Sequence, residues 1–481
     1  MARRGRHGSR SSIFRLRRGI ATGWPMATFT RLRVRLAAGS RILRHSWRIS
    51  PPFLLAAGFV VLILAGTALL KLPLSVTAPI SWGEALFTAT SAVTVTGLVV
   101  IETGPSFSIW GEAVILVLMQ AGGLGLMTFA VLALLSLGGR IGSRRALVAS
   151  GAYNETHPRD VMRTAKVVVR MALVVEGIAL IPLALVWVPE HGWLQGLWWS
   201  IFHTVSAFNN AGFTLSPDSL MAYTGNPVIN TVIPALYLIG GLGFIVIMGI
   251  LDYRHSRRLD INAKVVLLGT AVLSLMGAAM IYMLESDNPA TLAALPGLPD
   301  RLWASWLQAT TPRTAGFHSL DIGDLTQPTS LVLMLLMFIG AGANGTGSGI
   351  KVATLFVLLA ATWTYIRRRR EPTLFSHAID TTTLLKALAV TVMAVLGIFM
   401  GTLALSITED ADLLTIAFEA TSALGTVGLT RGLTTELSGW GQVIVMMMMI
   451  VGRVCPLTVA YLVGSAFVSS RDSMKAELQI G

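Results

Sequence analysis

Cysteine is all but missing from this chain: Cys455 is the single one in 481 residues, so no disulfide framework is available to hold the fold. Charge is scarce as well. Only 13% of residues are charged while 53% are hydrophobic, a balance that excludes an ordinary soluble domain and fits a chain solvated by lipid. There are eight histidines, and no His-Glu-x-x-His or comparable cluster occurs among them, which leaves an intramembrane metalloenzyme without its ligands. The acids and bases inside apolar runs stand apart from one another, so no nucleophile–base pair is legible. The chain does not read as an enzyme.

Acid is absent from the first 48 residues, which hold thirteen arginines. That arm accounts for the net charge of +13, because the rest of the chain balances 24 basic against 24 acidic side chains. An acid-free, Arg-rich arm suits anionic lipid at a cytoplasmic surface better than nucleic acid. An organelle transit peptide shares the composition, but no other feature supports one. Whether translation starts at Met1 or Met26 stays open.

Long apolar runs, by contrast, are abundant. Four cover roughly residues 53–70, 167–188, 265–284 and 384–405, and four more cover 109–137, 228–251, 331–362 and 443–468. Each is about long enough to cross a bilayer at roughly 20 residues per span. The pattern predicts an all-α integral membrane protein with eight spans. Between each leading and trailing run lies a mixed segment too short to cross, which reads as a re-entrant hairpin.

These four mixed segments end alike. Residues 87–98 read Phe-Thr-Ala-Thr-Ser-Ala-Val-Thr-Val-Thr-Gly-Leu, and 202–213 read Phe-His-Thr-Val-Ser-Ala-Phe-Asn-Asn-Ala-Gly-Phe. Residues 306–317 read Trp-Leu-Gln-Ala-Thr-Thr-Pro-Arg-Thr-Ala-Gly-Phe, and 418–429 read Phe-Glu-Ala-Thr-Ser-Ala-Leu-Gly-Thr-Val-Gly-Leu. Counting from the glycine, each has an aromatic at −10, Ser or Thr at −6 and Leu or Phe at +1. The glycines Gly97, Gly212, Gly316 and Gly428 lie 115, 104 and 112 residues apart. Such a period predicts four pseudo-repeated helix–pore loop–helix units around a central pore. Their bounds are 49–145, 160–252, 262–366 and 380–470, between the arm at 1–48 and a cytoplasmic tail at 471–481.

An ion entering low dielectric must exchange its water for protein oxygen. Backbone carbonyls supply oxygen without formal charge, and glycine permits the backbone angles that an exposed row of them needs. A short helix leading into each loop would point its partially negative end at the cavity and favour a cation. The expected filter is Val95-Thr96-Gly97, Asn210-Ala211-Gly212, Thr314-Ala315-Gly316 and Thr426-Val427-Gly428, of which the last matches the Thr-Val-Gly core of potassium channels. Small-residue helix packing would explain one such glycine; four copies with shared flanks favour a filter.

The trailing run of the third unit is interrupted by Gly340-Ala-Gly-Ala-Asn-Gly-Thr-Gly-Ser-Gly349. Non-helical backbone at membrane depth is tolerated where it is buried in protein or lines a cavity. A nucleotide-phosphate loop is a poor alternative: Lys351 follows Ile350 rather than Gly, and no strand precedes it. Arg453 sits inside the last apolar run and must face a cavity or pair with a buried acid. Lys351 either faces the same space or extends to the membrane surface. Glu176, within the second leading run, has no evident partner. It is either a structural anchor or part of a subunit contact. The glycine runs at 122–125 and 240–243 read as close helix packing.

Arginine and lysine cluster between units (Arg140, Arg144, Arg145, Arg159, Arg163 and Lys166; Arg254, Arg257, Arg258 and Lys264; Arg367 to Arg370). The loops before each signature lean acidic: Glu190; Glu285, Asp287 and Asp300; Glu409, Asp410 and Asp412. The positive-inside bias places both termini in the cytoplasm and opens the filters outward.

The motifs Ser-Ala-Phe-Asn-Asn-Ala-Gly-Phe, Thr-Pro-Arg-Thr-Ala-Gly-Phe and Gly-Thr-Val-Gly-Leu make the chain resemble the Trk/Ktr/HKT superfamily of potassium transporters across about residues 50–470, most nearly its KtrB-type membrane subunit. The resemblance implies a potassium-translocating subunit in the inner (plasma) membrane, with Gly97 favouring potassium where a serine goes with sodium. It implies that the glycine-rich loop is a gate below the filter, with Gly345, Gly347, Gly349, Lys351 and Arg453 on the gate positions. Cys455 departs from the family, which carries a small glycine there. A homodimer on a cytosolic ring of RCK-type nucleotide-binding subunits is implied, as is sodium as activator or coupling ion, in a symporter-like role. No cofactor is expected in this chain. A TrkH-like transporter or a weakly selective potassium/sodium conductor is the alternative. The two extra N-terminal helices of the TrkH group are not seen in this sequence.

Overall fold

A computed structural model describes residues 51–136, 158–369 and 371–454, with side chains at 56–125, 166–253, 257–369 and 371–454. The arm at 1–48, the tail at 471–481, Cys455, Arg140, Arg144, Arg145 and Arg370 lie outside the described residues.

The described chain is helical, and one order of elements recurs along it. The first group is α1 (Pro51–Leu70), α2 (Trp82–Thr94) and α3 (Ile109–Ser136). The second is α4 (Pro158–His191), α5 (Trp193–Phe208), α6 (Pro227–Leu242) and α7 (Phe244–Ser256). The third is α8 (Ile261–Glu285), α9 (Leu298–Thr310), α10 (Gln327–Phe338) and α11 (Val352–Ile366). A two-stranded hairpin, β1 (Thr373–Leu374) with β2 (His377–Ala378), separates it from α12 (Thr381–Thr408), α13 (Leu413–Gly425) and α14 (Gly439–Val454). The hairpin carries no signal in the sequence reading.

Among the described residues, three helices are long and apolar enough to cross a membrane: Lys166–His191, Ile261–Glu285 and Thr381–Thr408. They expose large side chains such as Ile178, Leu185, Leu275, Met283, Leu396 and Phe399, which water would not favour and hydrocarbon does. A fourth candidate is the pair Pro227–Leu242 and Phe244–Tyr253, bent by 99°. Here the structure corrects the sequence, which reads 228–251 as one continuous run. The break falls at Gly243 (φ 93°), where the backbone of Ala343 and Asn344 crowds the glycine and Phe244 N donates to Asn344 O at 3.2 Å. A side chain at 243 would exclude that segment, so a kink and a close approach have one cause.

The short helices α2, α5, α9 and α13 sit inside the protein. The aromatic at −10 anchors them: Phe87, Phe202 and Phe418 are fully buried, while Trp306 is half-buried. The residue at +1 closes the other end, with Leu98, Phe213, Phe317 and Leu429 all buried. The sequence signature is therefore a set of core contacts around each glycine loop.

Candidate functional site

Each short helix leads into a loop whose backbone changes hand twice. The residue two before the glycine is left-handed, as is the glycine: Val95 (φ 56°) with Gly97 (90°), Asn210 (61°) with Gly212 (70°), Thr314 (71°) with Gly316 (80°) and Thr426 (48°) with Gly428 (94°). The residue between them is not. A β-branched side chain at positive φ is strained, typically by about 1–3 kcal/mol, and three of the four loops carry one.

The four loops then close on each other. A methyl group built on Gly97 would sit 2.5 Å from Ala211 O, one on Gly212 2.9 Å from Ala315 O, and one on Gly316 2.8 Å from Val427 O. One on Gly428 would press into Thr96 O, which returns the contact to the first loop. Thr96, Ala211, Ala315 and Val427 each directly precede a loop glycine. Loops more than a hundred residues apart thus form a closed cycle of carbonyl against glycine, made of the four glycines and the four residues that directly precede them, eight of the twelve residues expected there.

Glycines of the following helices make this ring possible. Gly122, Gly240 and Gly452 each lie directly against a carbonyl four residues ahead of a loop glycine, those of Val93, Phe208 and Leu424. The first two belong to the runs read as close packing. The third is its equivalent in α14.

Segment 340–349 breaks the third group between α10 and α11, where Ile339 and Ile350 form an isolated parallel bridge. It is tied to the second loop: Thr346 Oγ1 donates to Asn210 Oδ1 at 2.6 Å and Thr346 N to Gly240 O at 3.1 Å. Gly347 lies against Thr314 Oγ1, Gly345 against Gly241 O at 2.7 Å, and Gly349 (φ 69°) against Gly340 Cα at 2.8 Å, measured from an added methyl. Lys351 Nζ donates back to Gly347 O at 2.7 Å, which makes it a lock on the segment rather than a side chain stretched to the membrane surface. The buried Arg453 guanidinium donates to Thr346 O, to Ser348 Oγ at 3.2 Å and to Gly122 O at 3.1 Å. Among the described residues these acceptors are neutral, so Arg453 is held there by a tether of carbonyls and a hydroxyl rather than by an acid. A cavity of about 280 Å³ borders the segment, lined by Asn344, Ser348, Lys351, Thr421 and Arg453 among others.

A family model described as "TrkH: Cation transport protein" matches residues 36–469. The chain belongs to the Trk/Ktr superfamily, and within it to the KtrB type. It is 45% identical to Ktr system potassium uptake protein B of Bacillus subtilis, over 86% of this chain and 93% of that one. It is 40% identical to the Vibrio alginolyticus protein of the same name, over 85% and 90%, and 36% identical to the potassium/sodium uptake protein NtpJ of Enterococcus hirae, over 86% and 93%. Its fold is similar to the crystal structure of the potassium transporter TrkH from Vibrio parahaemolyticus, with TM-score 0.70, 19% identity and 90% of each chain covered. A KtrB-type chain is a transport protein, and its exposed apolar helices make it a multi-pass membrane protein.

Some residues of this KtrB-type site escape sequence reasoning. Position −6 is visible in the motif, but its use is not: Ser91 and Ser422 accept the amide of Gly97 at 3.0 Å and Gly428 at 3.2 Å. Arg313 enters the sequence reading only as part of a motif. Buried next to Thr314, it donates to Thr270 Oγ1 at 3.2 Å, Thr270 O at 3.3 Å and Gly340 O at 3.5 Å. A guanidinium three residues before a repeated loop glycine is the available signal. Glu176, which has no partner visible in the sequence, accepts from Gln120 Nε2 at 3.0 Å. The two lie 56 residues apart in the chain, so nothing local links them.

Proposed function

We propose that this chain is the potassium-translocating subunit of a Ktr-type uptake system, with the four glycine loops as its selectivity filter and segment 340–349 as its gate. The observation that carries this reading is the closed cycle in which Ala211 O, Ala315 O and Val427 O each meet the glycine of the preceding loop, and Thr96 O meets that of the fourth. Four carbonyls brought to one axis can replace the water of a monovalent cation without adding charge. The name carried by the Bacillus and Vibrio relatives supplies the ion. In this reading each of four units contributes two spans and a re-entrant pore helix, eight spans in all, with both termini cytoplasmic in the plasma membrane.

The gate works by occupancy and charge. Segment 340–349 lies below the second and third loops, pinned by Arg453 from α14 and Lys351 from α11. A fixed guanidinium in a low-dielectric passage opposes a permeating cation, and screening is weak where water is scarce. Opening then means withdrawing the segment from Asn210 and Thr314. No step in this mechanism hydrolyses anything, so energy and control come from the ion gradients and from other chains. The Ktr system names of the relatives fit a regulatory partner subunit; we extend this, on the sequence resemblance, to a homodimer seated on a cytosolic RCK-type ring with sodium as activator or coupling ion.

Expression in a bacterium lacking its own potassium uptake, with and without an RCK-type partner, tests the reading at limiting potassium. Growth restored by the pair and lost when Gly97 becomes Ser is the expected result. Growth on sodium-coupled substrates alone, with no potassium uptake, would refute it. The potassium/sodium name of the Enterococcus relative keeps a weakly selective conductor as the second reading; equal uptake of the two ions by the unmodified chain would establish it.

A further inference from the structure

An acid in the middle of an apolar helix is costly unless its surroundings meet it. Glu176 lies on the inward stripe of α4 with Val168, Ala172, Leu183 and Trp187, while Val174 and Ile178 beside it face outward. Its carboxylate accepts Gln120 Nε2 of α3 at 3.0 and 3.3 Å on its two oxygens. Gln120 Oε1 in turn accepts Asn209 Nδ2 at 2.5 Å, and the same nitrogen reaches Val205 O at 2.9 Å. Asn209 is fully buried at the C-terminal end of α5, with Gly123 against its Oδ1. The next three residues are Asn210, Ala211 and Gly212.

Direction matters in this chain of side chains. An ionised carboxylate can only accept, whereas an amide accepts at one end and donates at the other. With Glu176 taking the nitrogen of Gln120, the oxygen of Gln120 must face Asn209, and the nitrogen of Asn209 must face back. The Asn209 amide is also held in this direction by Val205 O, whereas Gln120 alone is free to turn over; the carboxylate fixes Gln120 so that its oxygen, not its nitrogen, meets Asn209. The second loop is also held from the other side, by Thr346 Oγ1 on Asn210 Oδ1 at 2.6 Å. Ala211 O, the carbonyl that meets Gly97, belongs to the residue directly after these two restrained asparagines.

We propose that Glu176 is a positioning residue for the second filter loop, acting through Gln120 and Asn209 to hold Ala211 O in the carbonyl ring and so to set potassium-over-sodium selectivity. The proposal rests on the filter reading. It assigns to an acid remote from the ions a specificity role that a mere anchor between α3 and α4 would not have.

The test uses the full chain in proteoliposomes, read as the ratio of potassium to sodium uptake alongside the thermal midpoint. Glu176→Gln permits the reverse direction, with the introduced amide donating to Gln120 Oε1 and Gln120 then presenting a nitrogen to Asn209. Its ratio should fall about fivefold, the fold-change of about one net hydrogen bond. The double variant Glu176→Gln with Gln120→Glu restores an acceptor-only group facing Asn209, and its ratio should return to within about twofold of wild type. Gly212→Ser is the reference for the filter itself. An unchanged ratio in Glu176→Gln, with a changed one in Gly212→Ser, overturns the proposal and leaves the filter reading standing; unchanged ratios in both overturn the two together. If Glu176→Gln does not fold, the double variant decides: folded with a near-wild-type ratio it supports the relay, and unfolded or with a lost ratio it rejects it.

Discussion

In the first and fourth glycine loops the serine at −6 accepts the amide of its own glycine, Ser91 from Gly97 and Ser422 from Gly428, and the last helical residues turn left-handed in place at Val95 and Thr426. The second and third loops keep fewer ties of their own, such as Ser206 Oγ to Phe213 O at 2.8 Å. They are held mainly by other elements: Asn209 by Gln120, Asn210 by Thr346, Thr310 by Tyr237, Arg313 by Thr270 and Gly340. The helices differ at their starts too. Ser81 and Asp412 cap α2 and α13 with side-chain oxygens, whereas α5 and α9 begin at Gly192 and Gly297 without one. One pair of loops is built by local sequence; the other is placed by the surrounding protein. Since segment 340–349 is bonded to the second loop and packed on the third, that second pair is where, in the proposed mechanism, a moving gate would reach the filter.

All four loops are alike at the glycine, and there the comparison should break first. In Gly428→Ala the new methyl presses on Thr96 O at a backbone φ of 94°, so strain and collision fall together. Potassium uptake should drop by more than about tenfold, the equivalent of about 1.4 kcal/mol, in a locally built loop as much as in a placed one. Wild-type flux and selectivity in this variant would show that the carbonyl ring does not carry ions.

Removal of residues 345–349 acts on one pair only. Thr346 leaves Asn210 and Gly347 leaves Thr314, while the serine ties of the first and fourth loops remain. Uptake should rise several-fold, depend less on any regulatory partner, and discriminate less between potassium and sodium. A folded, membrane-inserted deletion that transports less than wild type would mean the segment is no barrier.

Arg453→Gln is the milder version of the same change. It withdraws the charge and the fork that holds Thr346 O, Ser348 Oγ and Gly122 O, so basal uptake should rise about threefold at constant protein level. If its buried carbonyls are the larger concern, the outcome reverses: expression falls, the melting temperature drops and flux does not rise. Measuring uptake and melting on one purified sample separates the two.

The difference between the loop pairs also explains how much can be read in advance. The helix order, the four loops and the break at 340–349 are written in short-range patterns: apolar runs, an aromatic at −10, Ser or Thr at −6, and five glycines in ten residues. The carbonyl ring itself joins residues 96 and 428 across the whole chain, and only its repetition gives it away. Arg313, Gln120 and Asn209 are hidden because their partners lie in other groups, and a lone guanidinium or amide does not announce its acceptor. The kink at Gly243 is hidden for the same reason, since segment 340–349 makes it.

Single tethers of the two kinds should differ in size. Arg313→Met removes three hydrogen bonds to neutral acceptors on Thr270 and Gly340 and should cost about 2–3 kcal/mol of thermal stability, while Ser422→Ala removes one acceptor and should cost about 1 kcal/mol. A larger loss from Ser422→Ala would show that the local tie, not the placed one, dominates.

The smallest effect belongs to the helix cap of the locally built pair. Asp412 is exposed, and its Oδ2 accepts Thr415 N at 3.1 Å at the start of α13. Hydrogen bonds from Thr415, side chain first and then backbone, hold the Asp412 carboxyl below its usual value. A carboxylate with a lowered folded value stabilises above its unfolded value and loses that contribution as pH falls through the folded one. Asp412→Ala should therefore lower the melting point by the worth of one N-cap, about 0.5–1 kcal/mol, across roughly pH 5 to 8. The gap to wild type should close as the pH falls through the lowered folded value of Asp412, where the wild-type side chain becomes protonated and accepts more weakly. Selectivity should not move at any pH, because the cap sits a full helix away from Thr426 and the serine tie remains. A shifted potassium-to-sodium ratio in Asp412→Ala would mean that the fourth loop, too, is placed from a distance, and the division between the two pairs would fall.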